Sequence, residues 1–336
     1  MSERPFVSVI VPIRNEKAHL EITLRNLMEQ DYPTDRFEIL IVDGMSTDGT
    51  RELCAHFSKT DSRIRLIDNP KLFVAAAFNM GIRAARGDIV MIVGGHTHVA
   101  QNYITESVRV LNDHPEVVGT GGPVHSVART TFGRAVAVAM AHPLGIGNAT
   151  HRYPNFEGYA FGSAFPVFRK SLFDEVGYYD ESFVRNQDDE FLLRLQMMGL
   201  KNYITPKIRS DYFVRETPTQ LFRQFVQYGY WRVAVIQKLK RAASLRQFAP
   251  SIFVASLILA FVLNIQAFLM LFGSYGLTLS LAALYHWRQS SFLTCCYLPI
   301  AISLMHFGYA FGFFRGLLDF VLLRRRSSSM VEMTRG

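Results

Sequence analysis

A chain of 336 residues, 49% of them apolar and only 19% charged, has too few charges for a disordered protein and too much apolar content for an ordinary soluble enzyme. The expectation is a globular part joined to a membrane part. Lys and Arg (36) exceed Asp and Glu (28) by eight, yet no acid lies between Glu216 and Asp319, where Arg223, Arg232, Lys238, Lys240, Arg241, Arg246, Arg288 and Arg315 supply the whole excess. These residues border long apolar runs, so the expected partner is anionic membrane lipid, and nucleic acid is set aside.

Residues 1–215 alternate short β-branched runs with helical patterns. Strands are expected at Val7–Val11, Glu38–Val42, Ile64–Ile67 and Ile89–Val93, and helices near Lys17–Met28, Thr47–Phe57 and Val74–Ala85. Such alternation predicts an α/β fold, a mostly parallel central sheet with helices on both faces. The first apolar run, Phe6–Ile13, is too short for a signal peptide core and meets charge at Arg14, which predicts that this domain stays in the cytoplasm. Cys54, Cys295 and Cys296 form no disulfide or CxxC pattern, in keeping with that compartment.

Residues 216–247 read as one amphipathic helix with Leu221, Phe222, Phe225, Tyr228, Trp231 and Val235 on its apolar side. It fits equally the headgroup region of a membrane or the surface of the soluble domain. Residues 248–323 hold a membrane anchor: uncharged runs at 251–272 and 274–287, long enough for two spans joined near Asn264–Gln266 or for one span plus a short re-entrant piece, then a further run at 292–314. Basic residues before the first run, at Arg288 and at Arg324-Arg325-Arg326, all favour the cytoplasmic side. Two spans plus a tilted, interfacial or re-entrant third segment therefore rank ahead of three full spans. A basic tail, 324–336, follows, and the whole predicts an inner-membrane protein with a cytoplasmic domain.

In open α/β sheets ligands bind beyond the carboxyl ends of the strands. There the sequence reads Pro12-Ile13-Arg14-Asn15-Glu16, Asp43-Gly44-Met45-Ser46-Thr47-Asp48-Gly49-Thr50 and Gly94-Gly95-His96-Thr97-His98. The second of these packs carboxylates, hydroxyls and glycines into a strand-to-helix turn suited to a polar ligand, and Asp48 is either a ligand or a helix cap.

Together with Asn79-Met80-Gly81-Ile82-Arg83-Ala84-Ala85-Arg86-Gly87-Asp88, these strings resemble the nucleotide-sugar half of a family 2 glycosyltransferase. The likeness continues through Gly162-Ser163-Ala164-Phe165, Val176-Gly177-Tyr178-Tyr179-Asp180-Glu181 and Asn186-Gln187-Asp188-Asp189-Glu190-Phe191, and with the apolar C-terminus it is most similar to the succinoglycan-biosynthesis type. The resemblance implies a GT-A fold and inverting transfer from a nucleoside diphosphate sugar, with uridine favoured. It casts Asp188 as the base that deprotonates the acceptor, with Asp189 in reserve. An alternative use of both acids is to favour the N-terminus of their helix.

The same resemblance assigns donor contacts to Pro12, Arg14, Glu16, Asp43, Asp48, Asn79 and Gly95; Arg83 and Arg86 are candidate phosphate partners if catalysis is metal-free, or else solvated surface residues of their helix. The family's Asp-x-Asp, which binds Mn or Mg, is replaced here by Gly94-Gly95-His96, leaving His96 and His98 as candidate ligands. Three readings follow: weak metal binding, metal-free catalysis, or a degenerate enzyme. Gln224, Tyr228, Trp231 and Arg232 resemble an acceptor-side helix, with a lipid-linked, polyprenyl-type acceptor implied; Trp231 reads equally as an interfacial anchor. The full processive motif is lacking, which favours addition of one sugar over polymer synthesis. A non-catalytic scaffold and a transporter are the remaining rivals.

Overall fold

The structure, a computed structural model, describes residues 4–147, 149–163 and 165–325. Ala164, Arg326 and the rest of the basic tail lie outside them. The chain divides into two compact units, one of Met1–His125 with Thr150–Tyr212, the other of Ser126–Ala149 with Phe213–Gly336. The second thus takes in a segment that the sequence reading kept within 1–215, because Thr131–Met140 is an apolar helix whose partners are the C-terminal helices.

In the first unit, successive residues of a strand serve opposite faces. Val7, Val9 and Val11 of β1 (Val7–Ile13), Ile39 and Ile41 of β2 (Phe37–Asp43) and Met91 of β4 (Ile89–Ile92) enter one core with α1 (Lys17–Met28), α2 (Thr50–Thr60) and α4 (Tyr103–Asp113). Ile10, Leu40, Val42, Val90 and Ile92 enter a second core with α3 (Val74–Ala84), α7 (Leu172–Val176) and α8 (Gln187–Met197). The unbroken apolar runs of β1 and β2 are therefore the mark of a sheet covered on both sides. Contact is close enough on the second side that a Cβ on Gly81 of α3 would stand 2.4 Å from Ile10 Cγ2.

The remaining strands are β3 (Ile64–Asp68), β5 (His98–Val99), β6 (Gly119–Gly121), β7 (Val124–Val127), β8 (Gly158–Ala160), β9 (Val167–Arg169), β10 (Asn202–Ile204) and β11 (Ser210–Phe213). The main sheet runs β3-β2-β1-β4-β9-β6-β10-β8. Pairing is parallel from β3 to β4 and antiparallel on both sides of β9. The sheet is thus mixed, as short strands from the second half of the chain could not show by periodicity. A smaller ladder sets Val99 opposite Ser210 and His98 opposite Asp211.

The second unit is helical: α5 (Thr131–Met140), α6 (Pro143–Ile146), α9 (Pro218–Leu239), α10 (Ala249–Leu263), α11 (Ile265–Tyr285) and α12 (Phe292–Gly316), which runs on as a wider π-type turn to Leu322. Glu216 accepts the backbone N–H groups of Arg129 and Thr130 at the start of α5. The α10–α11 turn is a single residue, Asn264, whose side chain accepts from the N–H groups of Gln266 and Ala267. The apolar face of α9 is covered: Leu221, Tyr230, Trp231 and Val235 are buried. Its partner is α12, whose Gly308, Gly312 and Gly316 face Phe222, Val226 and Tyr230 in turn. A Cβ at Gly312 would lie 1.9 Å from the Val226 carbonyl oxygen, so no other residue permits this approach.

Candidate active site

The first two loops beyond the sheet are laced together. Gly44 donates to the Ile13 carbonyl (2.8 Å), Asn15 N–H to Ser46 Oγ (2.8 Å), Glu16 N–H to Thr50 Oγ1 (3.0 Å) and Thr47 N–H to Asn15 Oδ1 (2.9 Å). Asn15 and Met45 adopt left-handed φ values of 56° and 55°, turns that bring these backbones side by side. Beside this lacing lies a cavity of about 350 Å³ lined by Pro12, Ile13, Arg14, Glu16, Gly94, Gly95 and His96, with Asn69, Leu72, Phe73, Phe78 and Phe165 around it. Gly95 is required here, because a Cβ would meet Ile13 Cγ2 at 2.7 Å. The cavity has the size and the mixed polar and aromatic lining of a small-molecule site.

Of the sequence-derived donor contacts, Pro12, Arg14, Glu16 and Gly95 line this cavity, and Asp43, Asp48 and Asn79 are not among its lining residues. Asp43 is fully buried, with its carboxylate taken up by Ser46 N–H, Ser46 Oγ (2.5 Å) and Arg51 (2.6 Å). Asp48 accepts from Thr50 N–H and Oγ1 and from Lys17 N–H (3.2 Å), tying the starts of α1 and α2. Hydrogen bonding from the Thr50 hydroxyl holds its carboxyl below the usual range. Asn79 is a correction: its amide bonds the backbone of Tyr179 in both directions and Glu181 at 3.0 Å, a strut rather than a donor contact. Arg83 is a second correction, because its guanidinium lies 4.3 Å from the Tyr178 ring centre instead of facing the cavity. Arg86 is paired with Glu38 at the opposite end of the sheet.

Arg51 was missed by sequence reading. It bridges Asp43 and Asp68 (2.8 Å), and these two carboxylates, Asp68 foremost, raise its pKa. The only local signal was an Arg one position beyond the Asp43–Thr50 string. Cys54 sits in the core, its thiol pushed up to about 12 by burial and by Asp43, which disqualifies it as a nucleophile.

The two candidate metal ligands part company. His96 Nδ1 is 3.1 Å from Glu16 Oε1 at the cavity, while His98 Nδ1 is 3.4 Å from Asp211 Oδ2. Asp211 also meets His125 at 3.3 Å. Neither Asp211 nor His125 had a sequence signal, since they come from strands distant in the chain. Among the described residues, no three His, Cys, Asp or Glu side chains are disposed to hold an ion. The donor set as it stands does not fit one.

Asp188 and Asp189 occupy the first turn of α8, after Asn186 in a left-handed conformation (φ 58°). Asp189 accepts from Asn186 Nδ2 at 2.8 Å, whereas Asp188 is exposed. The Tyr179 hydroxyl is driven up mainly by burial and secondarily by the Asp188 charge, so the two are neighbours. Tyr179 in turn stacks on Phe191 of α8 (4.5 Å) and packs on Phe78 (4.9 Å), a wall of the cavity.

Trp231 is a third correction. It is fully buried, packed on Tyr230 and Phe320, and so presents its ring neither to a sugar nor to a membrane surface. Gln224 bonds Tyr228 at 3.0 Å and is also buried; Arg232 is half-buried on the same helix.

A doubly covered sheet with a cavity at the carboxyl ends of β1 and β4 and an acid-led helix beside it defines a nucleotide-sugar-transferase fold of the GT-A type. The family profile "Glycosyl transferase family 2" matches residues 8–177, and the chain belongs to that family. It is 28% identical over 93% of its length to a dolichyl N-acetylglucosaminyl phosphate diacetamidodideoxyglucuronosyltransferase of Methanococcus voltae, covering 97% of that protein. It is also 28% identical over 95% of its length to succinoglycan biosynthesis protein ExoA of Rhizobium meliloti, covering 96% of it. Among solved structures, the mannosyltransferase PcManGT of Pyrobaculum calidifontis, in complex with GDP-Man and Mn2+, shares the fold with a TM-score of 0.58 at 22% identity, over 95% of this chain and 88% of that one. The protein is therefore a family 2 glycosyltransferase related to enzymes of glycan assembly, with three C-terminal helices long and apolar enough to cross a membrane.

Proposed function

We propose that this glycosyltransferase moves a single sugar from a nucleoside diphosphate sugar to a lipid-linked glycan acceptor, with inversion, using Asp188 as general base. The observation that carries this reading is the pairing of the cavity with Asp188, an exposed carboxylate reached from its Phe78 wall across the Tyr179 ring. The acceptor hydroxyl loses its proton to Asp188 as its oxygen attacks the anomeric carbon, and the bond from that carbon to the diphosphate oxygen breaks on the opposite face. Asp189, which accepts from Asn186 Nδ2 at 2.8 Å, is the base in reserve. Arg14, in the cavity wall, is the cation that faces the departing diphosphate.

His96 on Glu16 and His98 on Asp211 form two separate pairs, so the charge of the departing diphosphate falls to Arg14. A lipid-linked acceptor is supported by the dolichyl phosphate named for the Methanococcus relative, and a nucleotide donor by the GDP-Man held in PcManGT. Three apolar helices would hold the enzyme where such an acceptor is confined, raising its local concentration.

The test incubates purified protein with a panel of radiolabelled sugar nucleotides and a bacterial lipid extract, with Mn2+, Mg2+ or EDTA, and counts label entering the organic phase. Asp188→Asn is expected to lower transfer by roughly 10²–10⁴-fold while leaving nucleotide binding intact. Undiminished transfer in that variant would move the base elsewhere. Long polymer made from donor alone would favour a processive synthase, and label lost with EDTA would restore the ion to the mechanism.

A further inference from the structure

By length and composition α12 counts as a third span: with its π-type continuation it covers Phe292–Leu322 at a mean hydropathy of 1.4. Its surroundings differ from those of the other two. The most apolar windows of the first two candidate spans are 11% buried within the protein, that of α12 39%. At about 1.5 Å per residue α12 and its continuation extend about 46 Å, well beyond the ~30 Å hydrocarbon layer.

What covers α12 is not suited to a bilayer. From Gly308 to Gly316 it lies along α9, both helices running the same way, with Phe222, Val226, Tyr230 and Val233 seated in turn against the glycines. The alignment continues as Tyr230 donates to Asp319 (3.1 Å) and Gln237 to the Phe320 carbonyl (2.8 Å). The second half of α12 therefore stands at the same depth as Arg223 through Lys238 of α9, a stretch with three basic residues and three glutamines. Near its midpoint, His306 Nε2 lies 2.7 Å from the Leu144 carbonyl and Met305 packs beside Gly145. Both partners belong to α6, a single helical turn, whose neighbouring backbone has no ladder of its own to satisfy it. If the middle of α12 sat at the bilayer centre, this irregular segment and polar α9 would sit there too, where unsatisfied backbone and charge are strongly disfavoured. At the far end, buried Asp319 is clamped by Arg315 (3.0 Å) and Arg325 (2.9 Å), an ionised cluster integral to the helix terminus.

We propose that α12 does not cross the membrane but lies with α9 along the headgroup region, so that the α10–α11 hairpin alone enters the hydrocarbon and Leu323 stays on the side where α9 begins. The occupant of the exposed face of this helical layer is anionic lipid. Residues 217–318 carry eight basic side chains and no acid, and Arg246, Arg288 and Arg324 all come to one side of the bilayer.

The test is topological and does not depend on catalysis. With Cys295 and Cys296 replaced by Ser, and Cys54 left sealed in its core, single cysteines are introduced by Gln289→Cys, just before α12, and Leu323→Cys, just after it; both sites are exposed. A membrane-impermeant maleimide is applied to spheroplasts and to inverted vesicles. Both cysteines are expected to react from the same side, the interior; reaction from opposite sides overturns the proposal. Should either cysteine stay unreactive, nitroxide depth in nanodiscs at Phe292, Ile300, Phe311 and Leu322, all exposed, decides the matter. Uniformly shallow labels support a surface helix, and a deep centre between two shallow ends shows a span.

Discussion

The parallel sheet and the C-terminal helices are both rich in unbroken apolar sequence, and they use it in opposite ways. In β1 and β2 every second residue belongs to a different core, so all of the apolar side chains are buried. Along α10 and α11, by contrast, Ile258, Phe261, Val262, Leu269, Met270 and Leu277 stay exposed. Apolar composition alone does not distinguish a residue that packs from one that waits for lipid. The glycines do: those of α12 mark backbone contact, while Gly273 and Gly276 of α11 have nothing within 4 Å.

The largest effect is expected from testing that difference directly. Gly312→Leu has no room at 1.9 Å from the Val226 carbonyl, and it should part α9 from α12 at a cost of about 4 kcal/mol or more, read as loss of monodisperse protein and a lowered Tm. Gly276→Leu, in open space, should leave Tm unchanged or raise it slightly through helix propensity. Equal sensitivity at the two positions would erase the contrast.

An intermediate effect is expected in the sheet. Glu38 is buried, and although burial raises its carboxyl pKa, hydrogen bonds from Arg86, Ser8 and Arg65 outweigh it and hold the group below its ordinary 4.5. A lowered folded pKa means stability that is present above the unfolded value and lost as pH falls through the folded one. Glu38→Gln should therefore cost about 2 kcal/mol at pH 7 and flatten the acid limb of a Tm-against-pH curve below about pH 4.5. An unaltered acid limb would show that the ion cluster adds nothing to the sheet.

The smallest effect belongs to Arg83. Its stack on Tyr178 predicts a loss of about 0.5–1 kcal/mol in Arg83→Ala, with donor KM unchanged. A tenfold rise in KM would return this residue to the phosphate site.

What sequence could and could not reveal divides along the same line. The strands, the first three helices and the cavity residues Pro12, Arg14, Glu16 and Gly95 were legible because each follows from local order: a strand ends, and the turn after it faces the ligand side. Asn79 was misread because its partners, Tyr179 and Glu181, lie about a hundred positions away. Trp231 was misread because an aromatic residue on an amphipathic helix says nothing of which helix will cover it; α12 does so through Phe320.

The sequence by itself determined the alternation of the first half and the presence of long apolar helices, since these rest on composition and spacing along one stretch of chain, and its motif strings carried the family resemblance. Tertiary structure alone decided that Asp43 braces a loop, that His96 and His98 belong to different carboxylates, and that α12 is packed where α10 and α11 are bare. The physical reason is common to all three: a side chain's role depends on which distant group desolvates or bonds it, and that is fixed only when the chain has folded.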